Sequence, residues 1–147
     1  MNVQDVMTRR VISVGYGEPV SAAVRLLQRH NLGALPVCDA AGRLRGMVTD
    51  RDVVMRCLGQ GDAELSSPVS EIMSRGIVTA APHDDVSRAA QLMARDRVRR
   101  LPVAENGRLV GMVTLADLIR RGECEMECAQ AIRAIVSNVD LRAAPMG

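Results

Sequence analysis

The sequence contains the same pattern twice, and this internal repeat constrains the fold more than any other feature. Three segments of the first half return in the same order in the second half, with one gap between them. The matches are residues 5–8 with 71–74, residues 35–37 with 101–103, and residues 46–49 with 111–114. A repeated pattern at a fixed spacing is the signature of a duplicated structural unit. The chain therefore predicts two copies of one small fold.

The first copy predicts five elements in the order strand, helix, strand, strand, helix. β-Branched residues and flanking turn residues indicate strands, whereas apolar residues at helical spacing indicate a helix. The predicted elements are a strand over 11–14, a helix over 20–29, a hairpin of 34–37 with 44–48, and a helix over about 50–58. This order predicts an α/β fold.

The second copy predicts the same elements. Residues 77–79 read as the first strand, and residues 86–93 repeat the apolar stripe of the first helix. Ser21 and Asp85 lie near the starts of these two helices, and their side chains suit N-capping.

The repeat also predicts the domain boundaries. The first domain covers 3–60, a polar linker 61–68, the second domain 69–122, and a C-terminal helix and tail 123–147. Each copy is too small to bury both faces of a sheet, so we expect the copies to pack about a pseudo-two-fold axis. Equivalent ligand sites are then expected in the cleft between them.

The composition excludes several classes of function. The 19 basic and 17 acidic residues leave a net charge of +2, which gives no strong attraction to nucleic acid or membrane. All basic residues are arginine, so neither a Schiff-base lysine nor a P-loop lysine exists. Tyr16 is the only aromatic residue, so bases cannot stack on an aromatic platform.

Location and redox state are predicted from what the sequence lacks. No apolar run approaches the roughly 20 residues of a membrane span, and no hydrophobic signal region follows the first charges. The four cysteines are too few and too scattered for a disulfide scaffold. We therefore expect a soluble cytoplasmic protein with no membrane partner.

The order of these motifs resembles the CBS domain (cystathionine beta-synthase domain). The resemblance rests on D-V-M-T, a short strand, A-L-P-V and G-M-V-T-D-R-D, and it covers about residues 3–138. Two copies make a CBS pair, or Bateman module, and the length is similar to small stand-alone bacterial members. The resemblance implies tandem CBS repeats of β-α-β-β-α order.

The resemblance also implies a regulatory sensor without catalytic activity. Family members commonly bind AMP, ADP, ATP, NAD(H) or S-adenosylmethionine, and pairs usually form homodimers through their helices. An alternative is a structural or interaction module that has lost its ligand and acts through its dimer face. The amphipathic stretch over 129–136 could cover an edge of the module or meet a partner subunit.

The family's ligand motif, G-h-h-[ST]-x-x-D with h apolar, stands here at residues 46–52 and 111–117. Thr49 can present a hydroxyl where first-turn amides attract an anion, and Asp52 can accept both hydroxyls of a ribose. Thr114 and Asp117 are the matching pair. The alternative interpretation is an N-cap for the following helix. Its presence in both copies favours ligand binding.

Other predicted ligand-binding residues follow from the resemblance. Asp50 and Arg51 belong to the first motif block. The family places basic residues before the second strand, where this chain has Arg99 and Arg100 in one copy and Gly33 in the other. In related pairs such residues cross to the phosphate at the other copy's motif, here Thr49 and Asp52. An alternative is an ordinary solvated face.

The first strands contribute the remaining candidates. The family uses this region to flank the base and ribose, which implies roles for Val11, Ser13, Ile77 and Thr79. Packing inside the sheet is the alternative for the two apolar residues.

No catalytic or metal constellation emerges from the sequence. Cys124 and Cys128 share a helix face by their spacing, but no further cysteine or histidine lies nearby. Small buried residues are the favoured interpretation of this pair. We therefore predict no enzyme, no cofactor and no metal site.

Overall fold

The computed structural model describes residues 1–59, 63–121 and 124–139. The chain forms two compact units. The first-copy unit contains Arg10–Ile77 and Asn106–Leu109, and the second-copy unit contains Met1–Arg9, Val78–Glu105 and Val110–Gly147. We call the repeated segments 5–8 and 71–74 the opening motifs of the two copies, and each unit includes the opening motif of the other copy.

Six α-helices and five strands are assigned within the described residues. In chain order they are α1 (Val3–Val6), β1 (Val14–Gly15), α2 (Val20–His30), β2 (Ala34–Cys38), β3 (Leu44–Thr49), α3 (Asp50–Val53), α4 (Val86–Asp96), β4 (Arg100–Glu105), β5 (Arg108–Thr114), α5 (Leu115–Arg121) and α6 (Glu125–Val139). A π-helical turn, Val54–Leu58, continues α3, and a 3-10 turn covers Val69–Glu71.

The first-copy unit has a three-stranded sheet of order β1-β2-β3. β1 runs parallel to β2, and β2 pairs antiparallel with β3 from Ala34↔Thr49 onward. The predicted hairpin is confirmed. The predicted strand over 11–14 is reduced to Val14–Gly15, because β-branched residues favour extended backbone but a strand also needs ladder partners.

The second-copy unit has a two-stranded sheet of β4 and β5. The predicted strand over 77–79 is wrong: this region contributes only an isolated parallel bridge between Ala80 and Val103. Ala80 N donates to Pro102 O (3.0 Å), and Ala104 N donates to Ala80 O (2.9 Å). One residue with two ladder bonds does not make a strand.

The long helices α2 and α4 confirm the predicted apolar stripes, and each runs beyond its predicted end. Both stop at a left-handed residue, Asn31 (φ 52°) or Arg97 (φ 57°). Asp85 caps α4 as predicted, with its side chain accepting from Ser87 N (2.9 Å). The capping role predicted for Ser21 is wrong, because it lies inside α2, with Pro19 at the N-cap.

Each unit packs an aliphatic core around its sheet. In the first-copy unit the fully buried side chains include Leu35, Val37, Val48 and Ile72. The buried core of the second-copy unit consists of Val3, Ala80, Val86, Ala89, Ala90, Leu92, Met93, Leu101, Val103, Val113, Leu115, Leu118, Cys124, Cys128 and Ala131. Ile72 belongs to the repeated segment 71–74, and its counterpart Val6 in segment 5–8 is partly buried against the core of the second-copy unit, so both segments contribute to the core of the unit that contains them.

Candidate functional site

The T-x-x-D motif of the first copy connects β3 to α3. Thr49 Oγ1 accepts a hydrogen bond from Asp52 N (3.0 Å), and Asp52 Oδ2 accepts from Thr49 N (2.9 Å). This reciprocal pair is a capping box. The Asp52 side chain is 11% exposed, so the carboxylate is held in one orientation with only part of it open to solvent.

The second copy repeats this geometry between β5 and α5. Thr114 Oγ1 accepts from Asp117 N (3.1 Å), and Asp117 Oδ2 accepts from Thr114 N (2.9 Å). The Asp117 side chain is also 11% exposed. The N-cap interpretation of the motif is therefore correct in both copies, and it fixes the carboxylates that the ligand interpretation requires.

The second oxygen of each carboxylate faces an arginine of the following turn. Asp52 Oδ1 lies 3.8 Å from an Arg56 guanidinium nitrogen, and Asp117 Oδ1 accepts from Arg120 (2.5 Å). A carboxylate offers about four lone-pair sites. The cap uses one of them on each aspartate, and the Arg120 hydrogen bond uses a second one on Asp117, so acceptor capacity remains for the hydroxyls of a ligand.

These two arginines were missed in the sequence. Arg56 follows Asp52 by four residues and Arg120 follows Asp117 by three, which are the spacings of ion pairs along a helix. Arg56 also donates to Ile72 O (2.8 Å) and Met73 O (3.3 Å). It therefore connects the first motif to the opening motif of the second copy.

The glycine that begins each motif block allows close packing against an opening motif. A Cβ at Gly46 would lie 2.5 Å from Ser74 O, and Met47 exchanges two hydrogen bonds with Ser74 (3.0 and 2.8 Å). A Cβ at Gly111 would lie 2.5 Å from Met7 Sδ and 3.0 Å from Thr8 O. The glycine of each motif block thus has a packing role in addition to any ligand role.

The loop before the second strand of each copy lies beside that copy's own motif. Asp50 N donates to Gly33 O (3.1 Å), and Leu115 N donates to Arg99 O (2.8 Å). Arg99 is exposed and Arg100 is half-buried. The structure thus places the Arg99 backbone next to the second motif, within the second-copy unit.

The remaining predicted residues differ in exposure. Ser13 and Thr79 are exposed, whereas Val11 and Ile77 are half-buried. Arg51 is exposed, and its backbone N donates to Asp50 Oδ1 (2.7 Å). The four hydrogen bonds of the two capping boxes join only Thr49 with Asp52 and Thr114 with Asp117. The other predicted ligand residues take no part in them.

The cysteine pair is buried, as predicted. Cys124 and Cys128 are 3% and 4% exposed, and their Sγ atoms are 3.1 Å apart. Burial, followed by the hydrogen bond with Cys128, raises the pKa of Cys124 to about 12. Across residues 1–59, 63–121 and 124–139, no group of three or more histidines, cysteines or carboxylates could hold a metal ion.

A sequence model of the CBS domain matches residues 3–59 and 69–123. The chain therefore belongs to the CBS-domain family and is a CBS pair, a regulatory module of α/β tandem repeats. This confirms the resemblance and the fold class, and no catalytic family is indicated. Within the described residues, no helix has both the length and the apolarity needed to cross a bilayer.

Two stand-alone CBS proteins are similar over most of their length. CBS domain-containing protein YhcV of Bacillus subtilis is 42% identical over 117 residues, covering 80% of this chain and 82% of YhcV. Hypoxic response protein 1 of Mycobacterium tuberculosis is 35% identical over 138 residues, covering 94% and 96%. A crystal structure of hypoxic response protein I, with two coordinated zinc ions, has a TM-score of 0.75 and covers 82% of this chain and 98% of that one.

Two solved structures of similar CBS proteins contain adenosine compounds. CBSX2 in complex with AMP has a TM-score of 0.71 and 28% identity, covering 82% of this chain and 94% of that one. The CBS pair of protein MJ0100 was solved with 5-methylthioadenosine and S-adenosylmethionine. Its TM-score is 0.70 and its identity 29%, with coverage of 82% and 94%.

Proposed function

We propose that this CBS pair is a cytoplasmic regulatory sensor that binds an adenosine-containing ligand without converting it. The observation that carries the proposal is the pair of matching capping boxes, each of which holds an aspartate in a fixed orientation with acceptor capacity to spare. A rigid acceptor that is already desolvated loses little entropy when it binds a hydroxyl pair. The AMP complex of CBSX2 and the S-adenosylmethionine complex of MJ0100 support the ligand class.

The proposed roles follow the chemistry of the side chains. Asp52 and Asp117 accept the ribose hydroxyls, since ionised carboxylates only accept hydrogen bonds. Thr49 and Thr114 hold these aspartates in place through the capping boxes. The other proposed contacts are Asp50, Arg51, Arg99 and Arg100 near the phosphates, and Val11, Ser13, Ile77 and Thr79 around the base and ribose.

A thermal-shift experiment with AMP, ADP, ATP, NAD(H) and S-adenosylmethionine tests the ligand class. Ligand at about 100 times its Kd should stabilise the folded chain by about 2.7 kcal/mol, which corresponds to a Tm increase of roughly 5–10 °C. The double variant Asp52→Ala/Asp117→Ala should lose this increase. Asp85→Ala is the matched control, because it also removes a capping aspartate but lies outside both motifs.

The outcome separates the two interpretations of the chain. If the double variant shifts as much as the wild type, the ribose role of the aspartates is wrong. If no adenosine compound shifts the wild type, the chain is better described as an interaction module that acts through its dimer face.

We also propose that the chain forms a homodimer through its helices. Each unit leaves large apolar side chains exposed on the helical segments that follow its motif. They are Val54, Met55 and Leu58 in the first-copy unit, and Ile119, Met126, Ile132 and Val136 in the second-copy unit. A second copy of the chain offers the same apolar faces, as an isologous interface requires.

Light scattering at micromolar concentration tests the dimer. We expect a mass twice the 15.8 kDa of the chain. Leu58→Asp should shift the mass toward the monomer, whereas Leu65→Asp, an exposed leucine outside the helical faces, should not. A wild-type mass near 15.8 kDa would contradict the proposal.

A further inference from the structure

Tyr16 is the only aromatic residue of the chain, and two arginines lie beside its side chain. The Arg45 guanidinium lies over the Tyr16 ring, with its central carbon 4.9 Å from the ring centroid. A hydrogen bond from Arg75, followed by the charge of Arg75, lowers the pKa of the Tyr16 phenol below its usual value, and the charge of Arg45 acts in the same direction. One phenol therefore has a guanidinium at its face and another at its hydroxyl.

Three separate segments of the first-copy unit supply this cluster. Tyr16 follows β1, Arg45 lies in β3, and Arg75 comes directly after the opening motif of the second copy. Tyr16 N donates to Cys38 O (2.7 Å), and Ser70 N donates to Tyr16 O (3.2 Å), so the backbone at Tyr16 is held in place. Arg45 and Arg75 are exposed and Tyr16 is half-buried. These residues lie in loops and a strand, so they are not part of the helical faces proposed for the homodimer.

The second copy does not repeat the cluster. By the internal repeat, Pro82 corresponds to Tyr16 and Val110 corresponds to Arg45. Neither of these side chains carries a charge or donates a hydrogen bond. Since the T-x-x-D motifs occur in both copies and the cluster occurs in only one, neither the duplicated fold nor the proposed adenosine sites require it.

The cluster is also separate from the T-x-x-D motif of its own unit. Thr49 pairs with Ala34 at the first residue of β2, whereas Tyr16 N donates to Cys38 O at the last residue of β2. The four-residue step from Ala34 to Cys38 corresponds to about 13 Å at a strand rise of about 3.3 Å per residue. A group bound beside Tyr16 therefore does not contact Thr49.

The two arginines keep hydrogen-bond donors for a ligand. A guanidinium has five N–H donors. Arg75 uses one of them on Ser70 O (3.4 Å), and Arg45 lies 3.5 Å from Asp39 Oδ2. Among the carboxylates in the described residues, only Asp39 forms an ion pair with either arginine, and its Oδ1 accepts from two backbone N–H groups (2.9 and 3.0 Å). Two guanidiniums thus share one carboxylate, which leaves positive charge for an anion.

The donors of the cluster match a phosphoryl group. Such a group has three acceptor oxygens and up to two negative charges, and the planar fork of an arginine binds these oxygens in pairs. The Tyr16 hydroxyl adds one O–H donor between the guanidiniums. Arg45 is already held against the ring and beside Asp39, so it loses less side-chain freedom on binding. A carboxylate offers only two oxygens and one charge, so it is the weaker ligand.

We propose that Tyr16, Arg45 and Arg75 form an anion site that binds a phosphoryl group, either as inorganic phosphate or as the phosphomonoester end of a small metabolite. The bound group accepts hydrogen bonds from both guanidiniums and from the Tyr16 hydroxyl. It joins the loop after β1, strand β3 and the segment after the opening motif of the second copy. Because it binds the folded state, it stabilises the first-copy unit.

Intrinsic fluorescence of the full chain tests this site, because Tyr16 is the only tyrosine and the chain has no tryptophan. Inorganic phosphate and glycerol 3-phosphate are titrated at an ionic strength kept constant with NaCl. We expect a saturable change at millimolar concentrations with at least one of these probes and no saturable change with acetate. The tighter of the two phosphoryl probes identifies the source of the group.

Absorbance titration of the phenol gives a second reading. The two guanidiniums lower the pKa of Tyr16, and a bound anion offsets their charge. A saturating phosphoryl probe should therefore raise the pKa of Tyr16 toward its usual value, whereas NaCl at equal ionic strength should raise it less.

Variants of the full chain assign the binding to these side chains. Arg75→Gln and Arg45→Gln should each weaken the phosphoryl probe by about ten-fold or more, since charge-assisted pairs are the strong ones. Arg43→Gln is the matched control, because Arg43 is an exposed arginine two residues before Arg45. Its loss should change the affinity by less than about two-fold, since solvent and salt screen an exposed charge that does not contact the anion.

Three outcomes would overturn the proposal. A fluorescence change with neither phosphoryl probe, or an equal change with acetate, would show that the cluster does not select this group. Equal weakening by Arg43→Gln and Arg75→Gln would indicate a diffuse positive surface. Loss of phosphate binding in Asp52→Ala/Asp117→Ala would assign the phosphoryl group to the adenosine sites. Because that double variant should bind phosphate like the wild type, failure of the adenosine sites is distinguishable from failure of this site.

Discussion

The two T-x-x-D motifs form the same internal hydrogen bonds, but the residues that surround them differ. Their four capping hydrogen bonds lie between 2.9 and 3.1 Å. The arginine that faces the aspartate is bound to two further carbonyls in the first copy, whereas Arg120 of the second copy is 71% exposed. The loop beside the motif carries Gly33 in one copy and Arg99 in the other.

The local geometry is therefore the same in both copies, whereas the charge and packing around the motifs differ. A capping box depends only on residues three apart, so both copies form it from their own sequence. The neighbours of each motif come from distant segments and can change independently.

The largest difference is expected at the motif glycines. Gly46→Ala would bring its Cβ against a backbone oxygen that is tied into the bridge with Met47, so the strand must move. We expect it to lower the free energy of unfolding by about 3 kcal/mol. Gly111→Ala mainly meets the flexible end of Met7 and should cost about 1 kcal/mol. Urea unfolding midpoints measure both, and equal losses would contradict the comparison.

The second difference concerns which site binds phosphate more tightly. The resemblance implies a crossed arrangement, in which Arg99 and Arg100 meet the phosphate at the first motif. Because the Arg99 backbone lies beside Leu115 within the second-copy unit, we predict instead that the two arginines serve the second motif. Guanidinium–phosphate pairs contribute about 1.5–3 kcal/mol, or roughly ten- to a hundred-fold in affinity. Arg100→Ala should therefore weaken AMP by this factor and leave adenosine nearly unchanged in calorimetry.

Single aspartate variants then assign the site. Asp117→Ala should remove the tighter AMP event, and that event should weaken with added salt. Loss of the tighter AMP event in Asp52→Ala instead would support the crossed arrangement. It would contradict the assignment of Arg99 and Arg100 to the second motif.

The smallest difference is expected at the arginines that face the aspartates. Arg56→Ala removes two hydrogen bonds to carbonyls and should lower the free energy of unfolding by about 1.5 kcal/mol. Arg120→Ala removes one largely exposed ion pair and should cost at most about 0.5 kcal/mol. Urea unfolding at low and high salt distinguishes them, since only the Arg120 effect should vanish with salt. A larger decrease in the free energy of unfolding for Arg120→Ala than for Arg56→Ala would contradict this prediction.

The two sites also show what could be predicted from sequence. Thr49, Asp52 and their counterparts were identified because their contacts are local and their spacing appears twice. The strand predicted over 77–79 does not form, because β-propensity alone does not provide a neighbouring strand to pair with. Ala80 makes only an isolated bridge with Val103. The domain boundaries at 3–60 and 69–122, and the ligand residues themselves, remain predictions.

The duplication, the family and the capping boxes follow from the amino-acid sequence, because each depends on order and short spacing along the chain. The folded structure was needed to show that residues 1–9 and 69–77 each join the unit of the other copy. The structure also showed that Cys124 and Cys128 are buried with their Sγ atoms 3.1 Å apart. These arrangements depend on which distant apolar surfaces fit together, and close packing between distant segments is not encoded in any local pattern.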